Sequence, residues 1–411
     1  MANLIDTLIV GGGQAGLAVS YYLTQQGRAH VVLEQAAQSA DAWRNHRWDS
    51  FTFVTPNWMV QLPGAAYAGS DPDGFMLRSE IVAYFEQYVA RFGLPVRYHT
   101  RVTAIVPQAG GYRVTTSQGV YQAAQVVMAT GSFQQPRIAP AGAHLPPAVL
   151  QLHSDAYRNP AALPPGAVLV VGSGQSGCQI AEELYLSGRK VYLSVGRGGR
   201  IPRRYRGQDI TRWLDKIGFF DRTVERLPSP KAKFAGNPQL SGANGGHSLN
   251  LHQFARDGVT LLGRLQEANG YQVRLAPDLK ESLAGVDKTE ADILKAIDSY
   301  IEQAGVAAPS DQVPQLRDGY AVEVVTELDL KAAGITAVIW AGGYGFDYSL
   351  VKLPVFDEDG YPLQRRGVTA FPGLYFVGLS WLYKHKSATV FGVGADAAFI
   401  ASEIMARPLA A

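Results

Sequence analysis

Short apolar runs alternate with amphipathic stretches from the start of the chain. Residues 4–10 and 30–34 are apolar runs of strand length, and residues 14–26 between them carry apolar side chains at helical spacing. A strand, a helix and a second strand in this order predict a βαβ unit. A further helix is predicted over 78–92, and a buried strand over 125–131 runs into a turn of small residues.

The same order of elements returns in the second part of the chain. An apolar run begins at Ala167, a helix is predicted over 175–188, and the next strand is predicted over 191–195. A charged and largely helical stretch follows from Arg197 to about Gly305. The remaining predicted elements are apolar strands at 337–340 and 373–378 and a last helix at about 392–406.

These two units predict an α/β protein with two Rossmann-like dinucleotide-binding domains, the second inserted into the first. Residues 1–163 and 325–411 are expected to form one domain. Residues 164–324 are expected to form the other, with helical excursions that cover the active site. The segment Leu163–Gly166, with two prolines and a glycine, is the predicted linker between them.

Each unit carries a glycine-rich turn where its first strand meets its helix. The first turn is Gly11-Gly12-Gly13-Gln14-Ala15-Gly16 and the second is Gly172-Ser173-Gly174-Gln175-Ser176-Gly177. The first glycine of such a motif allows a tight turn, the second lets the backbone approach a pyrophosphate, and the third lets the helix pack closely on the strand. The unpaired N–H groups of the helix N-terminus then favour a phosphate.

The second strands of the two units end in residues of opposite charge. Glu34 stands where a carboxylate accepts hydrogen bonds from the ribose hydroxyls of a dinucleotide. Arg197 stands at the matching place of the second unit, where a guanidinium suits a 2′-phosphate and therefore favours NADPH over NADH. The alternative interpretation is a solvated basic loop, because further arginines follow it: Arg200, Arg203, Arg204 and Arg206.

Composition narrows the class of protein. The 411 residues are 47% apolar and 18% charged, as in a globular protein of two domains. A net charge of +2 argues against a nucleic-acid partner, and no apolar run is long enough to span a membrane. The first strand leaves no room for a signal peptide, so we expect a cytoplasmic enzyme; a homo-oligomer stays open.

Cysteine and histidine usage excludes two kinds of chemistry. Cys178 is the single cysteine, so the chain has no internal disulfide and no redox-active dithiol of the kind that disulfide reductases with two dinucleotides need. The eight histidines do not combine with acids or cysteines at metal-ligand spacing. We predict no metal.

The chain as a whole resembles the single-component flavin-containing monooxygenases, which include N- and S-oxygenases and the plant indole-pyruvate oxygenases. The resemblance covers nearly the full length. It depends on both fingerprints and on four further segments: Trp43-Arg44, Arg47-Trp48-Asp49, Ala129-Thr130-Gly131 and His153-Ser154-Asp155-Ala156-Tyr157. Baeyer–Villiger relatives usually carry tryptophan at the place of Tyr157, so the last segment favours the other branches.

The resemblance implies an FAD-dependent monooxygenase that uses NADPH and O2, through a flavin C4a-hydroperoxide, to oxygenate a small organic substrate. The implied FAD-binding residues are Gly11, Gly13, Gly16, Glu34, Trp43, Arg44, Val102, Thr130, Gly131, Gly378, Ser387, Ala388 and Thr389. The implied NADPH-binding residues are Gly172, Gly174, Ser176, Gly177, Arg197, Gly342 and Gly343.

One departure from the family pattern affects the mechanism. Related N- and S-oxygenases often carry asparagine directly after a threonine beside the flavin. Here Pro56 follows Thr55, and Asn57 comes one residue later as the candidate catalytic side chain. Two other functions stay open at this point: an NADPH-dependent flavin oxidase or reductase that oxygenates nothing, and a non-enzymatic nucleotide sensor.

Overall fold

A computed structural model describes residues 3–408. The first part of the chain contains β1 (Asn3–Val10), α1 (Gln14–Gln25), β2 (His30–Leu33), α2 (Asp41–Arg44), β3 (Gln61–Leu62), β4 (Ala65–Ala66), α3 (Arg78–Phe92), β5 (Val96–Arg97), β6 (Val102–Gln108), β7 (Gly111–Thr116), β8 (Gly119–Met128), β9 (Gln135–Pro136) and β10 (Leu150–His153).

The middle part contains β11 (Ala167–Val171), α4 (Gln175–Leu186), β12 (Val191–Ser194), β13 (Arg204–Tyr205), β14 (Gln208–Asp209), α5 (Ile210–Lys216), β15 (Leu240–Ser241), β16 (His247–Ser248), α6 (Leu251–Arg256), β17 (Thr260–Leu262), β18 (Leu265–Asn269), β19 (Gln272–Leu275), α7 (Leu279–Ala304) and α8 (Asp318–Ala321). The last part contains β20 (Glu327–Asp329), β21 (Ile335–Trp340), β22 (Tyr344–Gly345), β23 (Gln364–Arg365), β24 (Val368–Thr369), β25 (Leu374–Phe376) and α9 (Val393–Ala406).

The first sheet has a parallel core in the order β25-β8-β1-β2-β5. Its register sets Val10 beside both Leu33 and Met128, so the strands end together at the first fingerprint. Apolar side chains of α1 and α9 pack on one face. The other face lies under the β6–β7 hairpin and residues 346–361. The predicted βαβ unit and the helix over 78–92 are confirmed.

The second sheet is entirely parallel in the order β10-β21-β11-β12-β17. Its central strands are buried on both faces, which is why they form near-continuous apolar runs. The sequence boundaries at 163/164 and 324/325 would leave β10 and β21 in the first domain. Both strands pair in the second sheet, because β21 lies between β10 and β11 and supplies hydrogen-bonding partners to each.

Residues 197–250, between β12 and α6, form a long insertion in the second unit, which we call the excursion. It contacts the first unit. Buried Arg203 forms a bidentate ion pair with Asp209, at 2.7 and 2.6 Å, and donates a third hydrogen bond to the Val54 carbonyl at 2.9 Å. Gly242 lies so close to Phe53 that a Cβ would be 1.9 Å from the Phe53 carbonyl oxygen. The excursion is therefore fitted to the loop that follows α2.

The excursion also pairs with the loop that precedes α9. The amide of Val224 donates to Tyr383 O and the amide of His385 donates to Arg222 O, both at 2.9 Å. Asp221 pairs with Lys384 at 2.7 Å and with Lys386 at 3.1 Å. The two units are thus joined on two sides. None of the helices formed by residues 3–408 has the length and apolar composition needed to cross a membrane.

Removal of Arg203 from its buried ion pair should destabilise the fold strongly. Arg203→Met leaves the Asp209 carboxylate buried without its partner, so we expect the free energy of unfolding to fall by about 3–5 kcal/mol in urea titrations followed by far-UV circular dichroism. Arg256→Met removes an ion pair that lies at the surface, with Asp318, and serves as the control. Equal midpoints for Arg203→Met and the unsubstituted chain would contradict this role.

Candidate active site

The two fingerprints have nearly the same backbone geometry. Gly11 and Gly172 have φ of +107° and +110°, a region that favours glycine. Gly13 and Gly174 precede α1 and α4 with φ/ψ of −80°/−176° and −72°/−174°. The predicted repetition of one nucleotide-binding turn in both units is therefore present in the structure.

Close contacts explain why the first and third glycines of each fingerprint lack a side chain. A Cβ on Gly16 would lie 2.0 Å from the Gly11 carbonyl oxygen, and one on Gly177 would lie 1.9 Å from that of Gly172. A Cβ on Gly11 would lie 2.6 Å from Ala129 O, and one on Gly172 would lie 2.6 Å from Ala341 O. The segments 129–131 and 341–343 are therefore structural equivalents, each lying against its own fingerprint.

The middle glycines differ, because they face open space. A Cβ on Gly13 or Gly174 would meet no atom of residues 3–408 within 4 Å. Each stands at the N-cap of a helix of 12 residues, where N–H groups without helical partners attract phosphate. Both turns therefore fit a pyrophosphate.

Glu34 closes the first turn. Its Oε2 accepts a hydrogen bond from the Gly12 amide at 2.7 Å, and its Oε1 accepts one from the Ala36 amide at 2.8 Å. These bonds fix the carboxylate beside the fingerprint and leave lone pairs for two hydroxyl donors. The arrangement fits the ribose of a dinucleotide.

Several implied FAD-binding residues lie around the N-terminus of α1. A Cβ on Gly378 would be 2.4 Å from the Ala15 Cβ. The side-chain amide of Gln14 donates to Ala388 O, which holds the segment 387–389 against the first turn. This role of Gln14 could not be predicted from local spacing, because its partner is 374 positions away in the chain.

Other implied FAD-binding residues have separate surroundings. Thr130 Oγ1 and Gly131 O both accept hydrogen bonds from Gln134, at 3.0 and 2.8 Å. Val102 packs among buried residues at the ends of β1 and β2. Trp43 contacts the rings of Phe51 and Phe53. Arg44 pairs with Glu86 at 2.5 Å, and its buried Nε has no hydrogen-bond partner within residues 3–408.

The arginines after the second fingerprint separate into two groups. Arg200 pairs with Glu290 at 2.6 Å, Arg203 pairs with Asp209, and Arg206 pairs with Asp298 at 2.7 Å. Arg204 donates to the carbonyls of residues 245 and 246. Arg197 is exposed and makes no ion pair or side-chain hydrogen bond in the described part of the chain. Arg197 alone in this group is therefore available to a phosphate.

The segment His153–Tyr157, which follows β10, contacts both the turn at Gly343 and helix α4. His153 Nε2 contacts Gly343 O at 3.0 Å, and its Nδ1 contacts Asp155 at 2.9 Å. Burial alone would raise the pKa of Asp155, but hydrogen bonds with His153 and His46 outweigh it and hold that pKa well below its usual range. Tyr157 is fully buried and donates to Glu183 on α4 at 2.7 Å. These contacts hold Gly343 and α4 beside the segment that follows β10.

Asn57 is buried at the start of a short 3-10 turn. Its Nδ2 donates to Asp71 O at 2.9 Å, and its Oδ1 has no partner within residues 3–408. This bond fixes the orientation of the amide. The side-chain atom of Asn57 that remains without a partner is therefore an acceptor, Oδ1.

Aromatic side chains near Asn57 form a continuous group that we call the aromatic cluster: Trp58, Phe219, Phe220, Trp381, His385 and Phe391. Two other aromatic residues of the excursion, Trp213 and Tyr205, belong to the same hydrophobic core as Phe220. Trp213 donates to Tyr205 O at 2.7 Å, and Tyr205 is anchored by Asp298. The cluster draws from three distant segments, so no local pattern could have predicted it.

Cys178 is fully buried in α4, and burial raises the pKa of its thiol. Its Sγ contacts Ser173 O at 3.4 Å. The side chain is therefore a packing residue and not a reactive thiol.

Comparisons with known proteins agree with this arrangement. The family model described as pyridine nucleotide-disulphide oxidoreductase matches residues 8–215. An uncharacterized oxidoreductase CzcO-like of Geobacillus kaustophilus is 34% identical, with 98% of this chain and 99% of the relative covered. A probable indole-3-pyruvate monooxygenase of Arabidopsis thaliana is 32% identical over 43% of each chain.

Two solved structures share the fold over nearly their full length. A flavin-containing monooxygenase from Stenotrophomonas maltophilia has a TM-score of 0.66 at 21% identity, with 98% of this chain and 99% of that chain covered. The bacillithiol disulfide reductase Bdr from Bacillus cereus has a TM-score of 0.63 at 17% identity, with 99% and 100% covered. The α/β fold with two dinucleotide-binding units is confirmed, as is the resemblance to flavin-containing monooxygenases.

The different surroundings of the glycines give a paired test. Gly13→Val should fold, because its side chain enters open space, but should bind no FAD if that space is the one expected for the pyrophosphate. Gly16→Val should fail to fold, because its Cβ meets a backbone carbonyl. Gly285→Val in α7, also in open space, is the control. Flavin content and circular dichroism of the purified variants measure both effects; a fully flavinated Gly13→Val protein would refute the placement.

Proposed function

The chain belongs to the pyridine nucleotide-disulphide oxidoreductase family, and from this premise we propose that it is an FAD-dependent monooxygenase. It uses NADPH and O2 to oxygenate a small organic substrate by the C4a-hydroperoxide route. The observation that carries the proposal is the pair of equivalent turns, one beside the carboxylate of Glu34 and the other followed by the free guanidinium of Arg197.

The bound flavin would supply the redox chemistry, and the chain supplies position. FAD belongs to the first sheet, with its pyrophosphate at Gly13 and its ribose at Glu34. NADPH belongs to the second sheet, with its pyrophosphate at Gly174 and its 2′-phosphate at Arg197. The contact between Gln14 and Ala388 supports this assignment, because it joins the first turn to the segment that would approach the flavin ring.

The excursion would cover the region around residues 387–389 and keep water out of it, as oxygen transfer requires. Its backbone pairing with the loop before α9, and the ion pairs of Asp221, hold it across the segment 387–389. The aromatic cluster excludes water from the same region. Asn57 would act there as an acceptor through its free Oδ1, because the bond from its Nδ2 to Asp71 O fixes how the amide is turned.

Oxygenation is favoured over disulfide reduction by the state of Cys178. A dithiol reaction needs an accessible thiolate, and this chain has one cysteine, buried within α4. The relative named as an indole-3-pyruvate monooxygenase supports the same choice. The two alternatives differ from the monooxygenase in what happens to the electrons of NADPH. An oxidase would pass them all to O2 as peroxide, and a nucleotide sensor would transfer none.

Arg197 should set the preference for NADPH. Arg197→Ala is expected to raise the KM for NADPH about tenfold to a hundredfold, because a charge-assisted bond to phosphate is lost, and to leave NADH use nearly unchanged. Arg206→Ala, which removes a nearby arginine paired with Asp298, is the control. Equal losses with both nucleotides in steady-state kinetics would contradict the assignment.

The reaction itself is tested by following the electrons. Purified flavoprotein is supplied with NADPH, isotopically labelled dioxygen and a panel of amines, thioethers, ketones and keto acids. The proposal expects at least one compound to gain a single labelled oxygen while peroxide release falls below NADPH consumption. Peroxide equal to NADPH with every compound would identify an oxidase. No NADPH consumption at all would identify a sensor.

A further inference from the structure

Segment 238–240 of the excursion lies along the first turns of α4. Gln175, the first residue of that helix, donates from its side chain to Pro238 O at 2.8 Å. Gln179, four residues further on, donates from its side chain to Leu240 O at 2.6 Å. These two bonds hold the backbone of the excursion on both sides of the residue between them.

That residue, Gln239, points into the second fingerprint. Its side chain is fully buried, and its Nε2 donates to Ser173 O at 2.5 Å. Its Oε1 is also buried and has no hydrogen-bond partner within residues 3–408. A buried amide with an unpaired acceptor costs free energy, and an apolar side chain of similar size would avoid that cost. The bond to Ser173 is therefore the contact that accounts for a glutamine at this position.

The loop that carries Arg197 is anchored on both sides by the same two residues. Before Arg197, the Gly196 amide donates to Ser173 Oγ at 3.1 Å. After it, the Gln239 amide donates to Gly199 O at 2.7 Å. The Arg197 side chain is exposed between these two anchors. The side-chain bond from Gln239 to Ser173 joins the anchors, so it sets how far the backbone of Arg197 lies from the fingerprint.

The same loop packs closely against its surroundings. A Cβ on Gly198 would lie 3.3 Å from Gln239 Nε2, and a Cβ on Gly199 would lie 2.7 Å from Thr289 Cγ2 on α7. The loop therefore fits between the Gln239 side chain and α7. While Gln239 is in place, its bonds and this packing limit any backbone movement that would carry Arg197 away from the second fingerprint.

We propose that Gln239 is a positioning residue for nucleotide specificity. It holds the Arg197 loop at the distance from the second fingerprint at which a 2′-phosphate and a pyrophosphate can be bound together. Without the bond to Ser173, the guanidinium would have to be ordered during binding, and the entropy of that ordering weakens affinity for the phosphate. Gln239 is fully buried and acts through Arg197. The proposal rests on the proposed function only in assigning NADPH to the second unit.

Binding of two nucleotide fragments to the oxidised holoprotein tests this role without turnover. The probes are adenosine 2′,5′-bisphosphate and adenosine 5′-monophosphate, which differ only in the 2′-phosphate. Isothermal titration should give a Kd about tenfold or more lower for the bisphosphate, and we call this ratio the 2′-phosphate preference.

Gln239→Met should reduce the 2′-phosphate preference about threefold or more, because the Arg197 loop loses its link to the fingerprint. Binding of the monophosphate should stay nearly unchanged. The urea midpoint should stay equal or rise, because the unpaired Oε1 is removed. Gln239→Leu, a second apolar replacement, should give the same result.

A double variant shows whether Gln239 acts through Arg197. When Arg197 is already alanine, Gln239→Met should cause no further loss of the 2′-phosphate preference. Gln179→Met is the matched control, since it removes another buried glutamine that donates to the same segment, at Leu240 O. This control should keep the preference.

A full 2′-phosphate preference in Gln239→Met, or losses that add in the double variant, would overturn the proposal. Failure of the proposed function has another signature. In that case the bisphosphate would still bind through Arg197 and Gln239→Met would still weaken it, while every electron from NADPH appeared as peroxide.

Discussion

The architecture depends on contacts that allow no Cβ between the end of a strand and the start of a helix. At Gly16 and Gly177 the helix lies against the carbonyl of the glycine that opens its turn, at a distance that no other residue tolerates. This contact aims the free N–H groups of α1 and α4 at open space beyond the parallel strands. Two such turns in one chain give two sites for dinucleotides, and the rest of the fold holds those sites in a fixed relation.

That relation is maintained by contacts that cross between the units. Arg203 reaches from the excursion to Val54, and the segment 222–224 pairs with the loop at 383–385. These joints hold aromatic side chains of both units together beside the segment 387–389, which would approach the flavin. The same scaffold that binds the cofactors therefore also shapes the space in which a substrate would react.

The sequence predicted local features well and distant pairings poorly. Both fingerprints, the position of Glu34 and the helices α1, α3, α4 and α9 follow from spacing and composition, which act over a few residues. The pairing of β10 and β21 within the second sheet could not be predicted, because the sequence of an apolar strand does not show which strand lies beside it. The ion pairs of Arg200, Arg203 and Arg206 were equally invisible, since their acids lie elsewhere in the fold and leave only Arg197 free.

The proposed function depends on transfer of a hydride from NADPH in the second unit to FAD in the first, and anaerobic mixing measures this transfer directly. The purified yellow protein is mixed with one equivalent of NADPH in the absence of oxygen, and the absorbance of the flavin is followed. We expect the colour to bleach with one NADPH per FAD, faster than with NADH. Persistence of the oxidised flavin spectrum, in protein shown to have bound both nucleotides, would contradict it.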